Sequence, residues 1–393
     1  MTLQQKLDPN NGPKRILACD GGGIRGALTL GYLEKIEKIL AARHPHIKNF
    51  VLADYFDLMG GTSTGSIIAS ALSIGMSVAE LRDKYFALGR KIFGRKYKWW
   101  SIFETKDFLK ASFDEKPLEE ELKNVFGDIL LNDSQRIRTG LCIVAKRADT
   151  NSVWPILNHP GGKYFDSEHG QNGKIRLRDA VRASAAAPGY FLPMTIDVGQ
   201  GQVAAFVDGG LSMANNPALQ LLMVATLNGF PYHWKKGADN LLIVSVGTGM
   251  SKLDRLPRDI EKNILLDWAK QVPDMLMQDA SWHNQVLLQW MSKTPTPKFI
   301  DGEIGDLSSD SLTPEPVLSY LRYNTFITEK DLTDLNIPGE KFDKKRAEDI
   351  SEMSNAENCE ILYKIGAAAS KEILDTHFPA KFDLQPVQAS VIS

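Results

Sequence analysis

Residues 14–26 read KRILACDGGGIRG. Lys14 to Asp20 is a short apolar run that suits a buried strand, Gly21 to Gly26 is a glycine-rich loop, and Leu30, Leu33, Ile36 and Leu40 then recur at helical spacing between Ala27 and Ala42. A second unit of the same kind follows, with Asp54 to Met59 as strand, Gly60 to Gly65 as turn and Ser66 to Leu72 as the start of a helix. Leu141 to Ala145, Gln202 to Val207 and Leu241 to Val246 are three more apolar runs that suit buried strands, with helical patterns between them. Strands alternating with helices predict a three-layer α/β/α domain around a mostly parallel central sheet. Ligands of such sheets gather at the carboxyl ends of the strands. Beyond about residue 250 the strand signals fade, and Ile260 to Trp290 and Ala347 to Thr376 read as helices packed on the same core.

The chain has 393 residues and is 43% hydrophobic, enough to bury a large core without metals or staples. Forty-six basic residues against forty-eight acidic ones leave a net charge of -2, so no global field recruits nucleic acid. Cys19, Cys142 and Cys359 are widely spaced with no CxxC pair, which indicates neither a disulfide framework nor a cysteine zinc site. The N-terminal MTLQQKLDPNNGPKR lacks the build of a secretory signal, and no stretch approaches the ~20 apolar residues of a membrane span. The expectation is a soluble cytoplasmic protein.

Gly21-Gly-Gly-Ile-Arg-Gly26 matches the dinucleotide-binding pattern GxGxxG and stands between a strand and a helix. An oxidoreductase built on Gly21–Gly26 also needs an acidic residue some ~20 positions on, and the chain there reads AARHPHIKNF. The other use of such a loop is to aim unpaired backbone N–H groups at negative charge developing on a substrate oxygen. Gly22 and Gly23 can approach closely, and Arg25 adds a cation.

Gly61-Thr-Ser-Thr-Gly65 matches GxSxG, the turn that exposes a nucleophilic hydroxyl between strand and helix, and equally suits an ordinary helix N-cap at Ser63. A serine needs a base. Of seven histidines, His233, His283 and His377 follow in the familiar order, but none sits in a glycine-bounded turn after a clear apolar strand. Asp208 is better placed, ending Ala204-Ala-Phe-Val-Asp208 before Gly209-Gly210, although an aspartate in a tight Asp-Gly turn reads the same way.

DGGGIRG at 20–26, GTSTG at 61–65 and DGG at 208–210 together resemble, in this order, the patatin-like phospholipases. Ser184-Ala-Ala-Ala-Pro-Gly-Tyr-Phe191 and Ser245-Val-Gly-Thr-Gly249 are similar too, and Tyr320-Leu-Arg-Tyr323 echoes a late motif of the plant members. The resemblance covers roughly residues 14 to 330. It implies a Ser-Asp dyad without histidine, Ser63 attacking and Asp208 taking the proton, and an oxyanion hole at Gly22, Gly23 and Arg25 with the Ile24 N–H as a further donor. Gly21, Gly26, Gly61, Gly65, Gly209 and Gly210 then shape the motifs. The implied activity is hydrolysis of membrane glycerolipid esters through an acyl-enzyme, with no metal and no cofactor. A regulated bacterial effector, latent until a protein partner or small nucleotide binds, is the rival reading within the family.

The expected division is a polar tail over 1–13, the catalytic domain over 14–330 and a helical extension over 331–393 on the same core. Arg90 to Phe103 carries five basic residues up to Lys98, then Trp99, Trp100 and Phe103. It suits transient contact with a membrane surface, or a solvated charge run with its aromatics in the core.

Overall fold

The computed structural model describes residues 1–93, 115–252, 257–261 and 264–385. Among these residues, nine strands join into one sheet: β1 (Lys14–Cys19), β2 (Leu58–Thr62), β3 (Gly140–Arg147), β4 (Ser152–Leu157), β5 (Met194–Gly199), β6 (Gln202–Asp208), β7 (Leu241–Val246), β8 (Ser292–Lys293) and β9 (Leu318–Tyr323). Their order is β5-β6-β3-β2-β1-β7-β9-β8, with β4 paired to β3. From β3 through β2, β1, β7 and β9 to β8 every pairing is parallel, whereas β4 and β6 pair with β3, and β5 with β6, antiparallel.

The helices before the second half of the sheet are α1 (Leu3–Leu7), α2 (Gly26–Arg43), α3 (Leu52–Tyr55), α4 (Thr64–Ser73), α5 (Val78–Phe93), α6 (Lys116–Phe126) and α7 (Leu177–Ser184). Those after it are α8 (Ala218–Thr226), α9 (Pro257–Ile260), α10 (Leu265–Trp290), α11 (Glu329–Asp334), α12 (Lys344–Ser351) and α13 (Cys359–Ala369). Side chains of β1 alternate between two cores. Leu17 and Cys19 pack with α2, α4, α7 and α13, and Ile16 and Ala18 pack with α8, Leu7 of α1 and Leu288 of α10. Burial on both faces is why β1, β2 and β7 read as continuous apolar runs rather than alternating ones. The expected three-layer architecture is the one observed.

Several details differ from the sequence reading. Asp54 lies in α3 rather than in a strand, because its carboxylate accepts the Val51 N–H at 3.0 Å and closes a helical turn; β2 starts only at Leu58. Beyond residue 250 the sheet gains β8 and β9. The stretch 347–376 breaks into α12 and α13 around a turn over 352–358.

Finally, the segment expected as a polar tail carries α1, whose Lys6 ammonium is buried and donates to the carbonyls of Ala53 and, at 3.0 Å, Phe56. Those carbonyls end α3, where the helix dipole favours a cation. At the other end of the chain α13 crosses α2 at Gly31 and Gly366, backbone against backbone, so the C-terminal helices are part of the same core. The boundary expected at 330 falls inside α11. Most of the basic and aromatic stretch 90–103 lies outside the described residues.

Candidate active site

A strand has two edges, and β4 occupies one edge of β3 along Cys142–Arg147. The other edge is shared end to end. β2 runs parallel along it until Thr62 pairs with Val144, and β6 runs antiparallel until Asp208 pairs with Ala145. The carboxyl ends of two strands that are far apart in sequence therefore meet head-on over consecutive residues of β3. Ser63 follows the first end and Asp208 closes the second.

Ser63 has φ 54° and ψ -124°, a conformation that costs a non-glycine residue free energy and persists only where its surroundings enforce it. The Ser63 N–H donates to the Ser184 hydroxyl at 2.9 Å, and that hydroxyl donates to the Val144 carbonyl at 2.6 Å. Ser184, at the end of α7, thus ties the elbow to β3. A side chain at position 65 would place its Cβ 2.1 Å from the Cys19 carbonyl oxygen, so glycine there lets α4 leave the elbow directly against the end of β1.

Asp208 is buried, and its carboxylate accepts the Gly210 N–H at 2.7 Å. The Ser63 hydroxyl faces the same carboxylate and favours its charged form. Desolvation outweighs both and pushes the Asp208 pKa up to about 6. The three histidines weighed from the sequence lie elsewhere. His283 and His233 are exposed, and His377 contacts the Tyr323 hydroxyl at 3.1 Å.

The glycine loop follows β1 and passes beside Ser63: a Cβ on Gly21 would lie 3.4 Å from the Ser63 Cβ. The loop is held by three residues to which the sequence reading gave no role. The Asn215 carbonyl accepts the Gly21 N–H at 3.0 Å, and the Thr248 hydroxyl donates to the Gly21 carbonyl at 2.8 Å. Arg322 of β9 grips Asp20 with both terminal nitrogens, at 2.9 and 2.6 Å, in a fully buried pair. Thr248 and Arg322 stand in blocks the sequence singled out; Asn215 carried no signal there.

Within the loop, neither the Gly22 nor the Gly23 N–H donates to a protein acceptor among the described residues. The Ile24 N–H, expected as a further oxyanion donor, is corrected: it donates to the Met353 carbonyl at 2.9 Å, and one hydrogen cannot serve two directions. Arg25 also departs from expectation. Its N–H closes a turn on the Gly22 carbonyl at 3.2 Å, and its guanidinium reaches the Ser351 carbonyl at 3.3 Å beside Asp274 and Glu352. Gly26 opens α2, Gly61 lies in β2, and Gly209 and Gly210 turn the chain after Asp208. The strand after the loop ends at Thr62 and is followed by Ser63 rather than by a carboxylate, so the dinucleotide reading lacks its second element.

A family model described as "Patatin-like phospholipase" matches residues 17–222, more than half of the chain. A "cGAMP-activated phospholipase" of Escherichia coli (strain TW11681) is 34% identical over 211 residues, covering 52% of this chain and 53% of that protein. A "cUMP-AMP-activated phospholipase" of Escherichia coli is 30% identical over 242 residues, covering 60% and 65%. The human "Calcium-independent phospholipase A2-gamma" is 28% identical over 222 residues, covering 55% of this chain and 26% of its own length. The chain therefore spans between about half and two thirds of the two bacterial relatives, at 53% and 65%.

Proposed function

Because the chain belongs to the patatin-like phospholipase family, we propose that it is a lipid acyl hydrolase that cleaves carboxylic ester bonds of membrane glycerolipids through Ser63 and Asp208. The observation that carries this reading is the meeting of β2 and β6 on one edge of β3, which sets the Ser63 hydroxyl against a buried carboxylate. Ser63 Oγ adds to the ester carbonyl carbon while its proton passes to Asp208. The oxyanion so formed is stabilised by the N–H groups of Gly22 and Gly23, two amides that have no competing acceptor among the described residues. The tetrahedral centre then collapses, the C–O bond to the leaving alcohol breaks, and Asp208 returns its proton to that oxygen. Water, deprotonated by the same carboxylate, attacks the acyl-enzyme carbonyl, the bond from that carbon to Ser63 Oγ breaks to free the fatty acid, and Asp208 returns the proton to Ser63 Oγ.

A fluorophosphonate probe followed by peptide mapping tests the assignment. Labelling is expected at Ser63 and nowhere else, and is expected to disappear in Ser63→Ala and to slow strongly in Asp208→Asn. Labelling at another serine overturns the reading.

A second reading adds control by a small nucleotide, which the names of the two bacterial relatives state for those proteins. Here it is favoured by the grip of Ser351 and Met353 on Arg25 and Ile24, since these two contacts come from a part of the chain beyond the matched region 17–222. Liposome hydrolysis is then expected to rise severalfold on addition of cGAMP or cUMP-AMP. Equal rates with and without either nucleotide would leave the constitutive reading standing.

A further inference from the structure

The peptide between Gly23 and Ile24 is held at both ends. Its carbonyl accepts from the Tyr85 hydroxyl at 2.7 Å, and its N–H donates to the Met353 carbonyl at 2.9 Å. Fixing that peptide plane fixes one side of Gly23, which sits at φ 57°, and with it the direction of the preceding amides. Tyr85 has a second contact, 2.6 Å from the Thr64 hydroxyl. A phenol carries one hydrogen, and a carbonyl can only accept. Because the Tyr85 hydrogen goes to Gly23, Thr64 must be the donor of the second bond. The chain of bonds runs from Thr64 through Tyr85 to Gly23, and Thr64 is the residue immediately after Ser63.

One buried side chain of α5 therefore spans the gap between the elbow and the glycine loop. The packing around it leaves little slack. A Cβ on Gly26 would lie 2.5 Å from the Tyr85 hydroxyl oxygen, and a Cβ on Gly89, one turn further along α5, would lie 2.6 Å from the Ile24 side chain. Oxyanion stabilisation demands that donors sit about 3 Å from the position that the ester carbonyl oxygen takes up, with its negative charge, only once Ser63 has attacked. The distance that matters is thus the one between two loops, and neither loop sets it alone.

We propose that Tyr85 is a positioning residue for acyl transfer: its hydroxyl, bonded to Thr64 and Gly23, sets the spacing and tilt of the Gly22 and Gly23 amides relative to Ser63 Oγ. The proposal rests on the reading of Ser63 as nucleophile, and it concerns the transition state rather than the bound substrate. Tyr85→Phe keeps the ring and its packing and removes only the bridge.

With a soluble short-chain p-nitrophenyl ester, Tyr85→Phe is expected to lower kcat roughly 10- to 100-fold, less than the loss of an oxyanion donor itself, and to leave KM within about twofold. A matched pair of inhibitors separates positioning from packing. A trifluoromethyl ketone adds Ser63 Oγ and presents an oxyanion, and its affinity should fall by the same factor as kcat/KM. A methyl ketone of equal chain length binds unreacted, and its affinity should hold. Thr64→Val breaks the same chain of bonds from its other end and should reproduce the pattern, whereas Thr64→Ser should restore it, so the test survives a poorly folded Tyr85 variant.

Unchanged kcat in Tyr85→Phe and Thr64→Val, or equal weakening of both ketones, overturns the proposal. Ser63→Ala runs alongside: full turnover there overturns the nucleophile reading and this proposal together, while lost turnover with unaltered Tyr85→Phe kinetics overturns the proposal alone.

Discussion

Asp208 is held in the folded chain in a setting that suits its neutral form, with its pKa displaced from 3.8 to about 6 by burial. A group raised in this way favours the folded state fully below its unfolded pKa, and that contribution disappears as pH rises through the folded value. The native protein is thus expected to lose stability between about pH 4 and pH 6, by about 3 kcal/mol at most from this one carboxyl. Asp208→Asn removes the buried charge while its side-chain carbonyl can still accept the Gly210 N–H. The variant should therefore resist urea better than the parent at pH 8 and equally well near pH 4. Equal midpoints at both pH values would show that the carboxylate is solvated in the folded state. The same displacement dictates the activity profile if Asp208 is the base. Turnover of a soluble ester should climb tenfold per pH unit below about 6 and level off above it, following the ionised fraction.

At the scale of elements, the centre is a product of register. β2 and β6 abut on one edge of β3, and α4 leaves the elbow with Gly65 pressed on the end of β1. Gly65→Ala would set a Cβ 2.1 Å from the Cys19 carbonyl oxygen, and the helix must retreat. Thermal denaturation should show a loss of about 1–3 kcal/mol, and ester hydrolysis should drop well beyond what that loss explains. A fully active, equally stable variant would mean that the elbow tolerates a shift of α4. Part of this is legible in the sequence, because apolar runs ending in glycine turns mark strands that stop at a site, and β1, β2, β6, β7 and both loops read that way, whereas β4 and β5 do not. β9 was not legible for a physical reason. Arg322 stands within LSYLRY, and a guanidinium argues against burial until its partner, 302 residues away at Asp20, is known. Tyr85 and Met353 act through a phenol hydroxyl and a backbone carbonyl placed by tertiary packing, which no spacing of residue types can announce.

For the whole molecule, the glycine loop is the place where distant parts of the chain converge. Arg322 anchors its entrance to β9 through the buried pair with Asp20. Removing one partner of such a pair strands a charge away from water, so Arg322→Met should cost about 3–5 kcal/mol in urea denaturation. Asp20→Asn combined with Arg322→Met should recover part of that loss, and strict additivity of the two single changes would show that the pair is not coupled. The exit of the loop depends on the Met353 carbonyl, supplied from the turn between α12 and α13. During synthesis, the strand and loop that open the fold leave the ribosome long before residue 353 does. Met353 is made 290 residues after Ser63 and 145 residues after Asp208, so in a nascent chain the Ile24 N–H lacks this acceptor until that turn has left the ribosome. A product truncated before residue 353 would keep β1 and its glycine loop but lose the carbonyl that holds the Ile24 N–H.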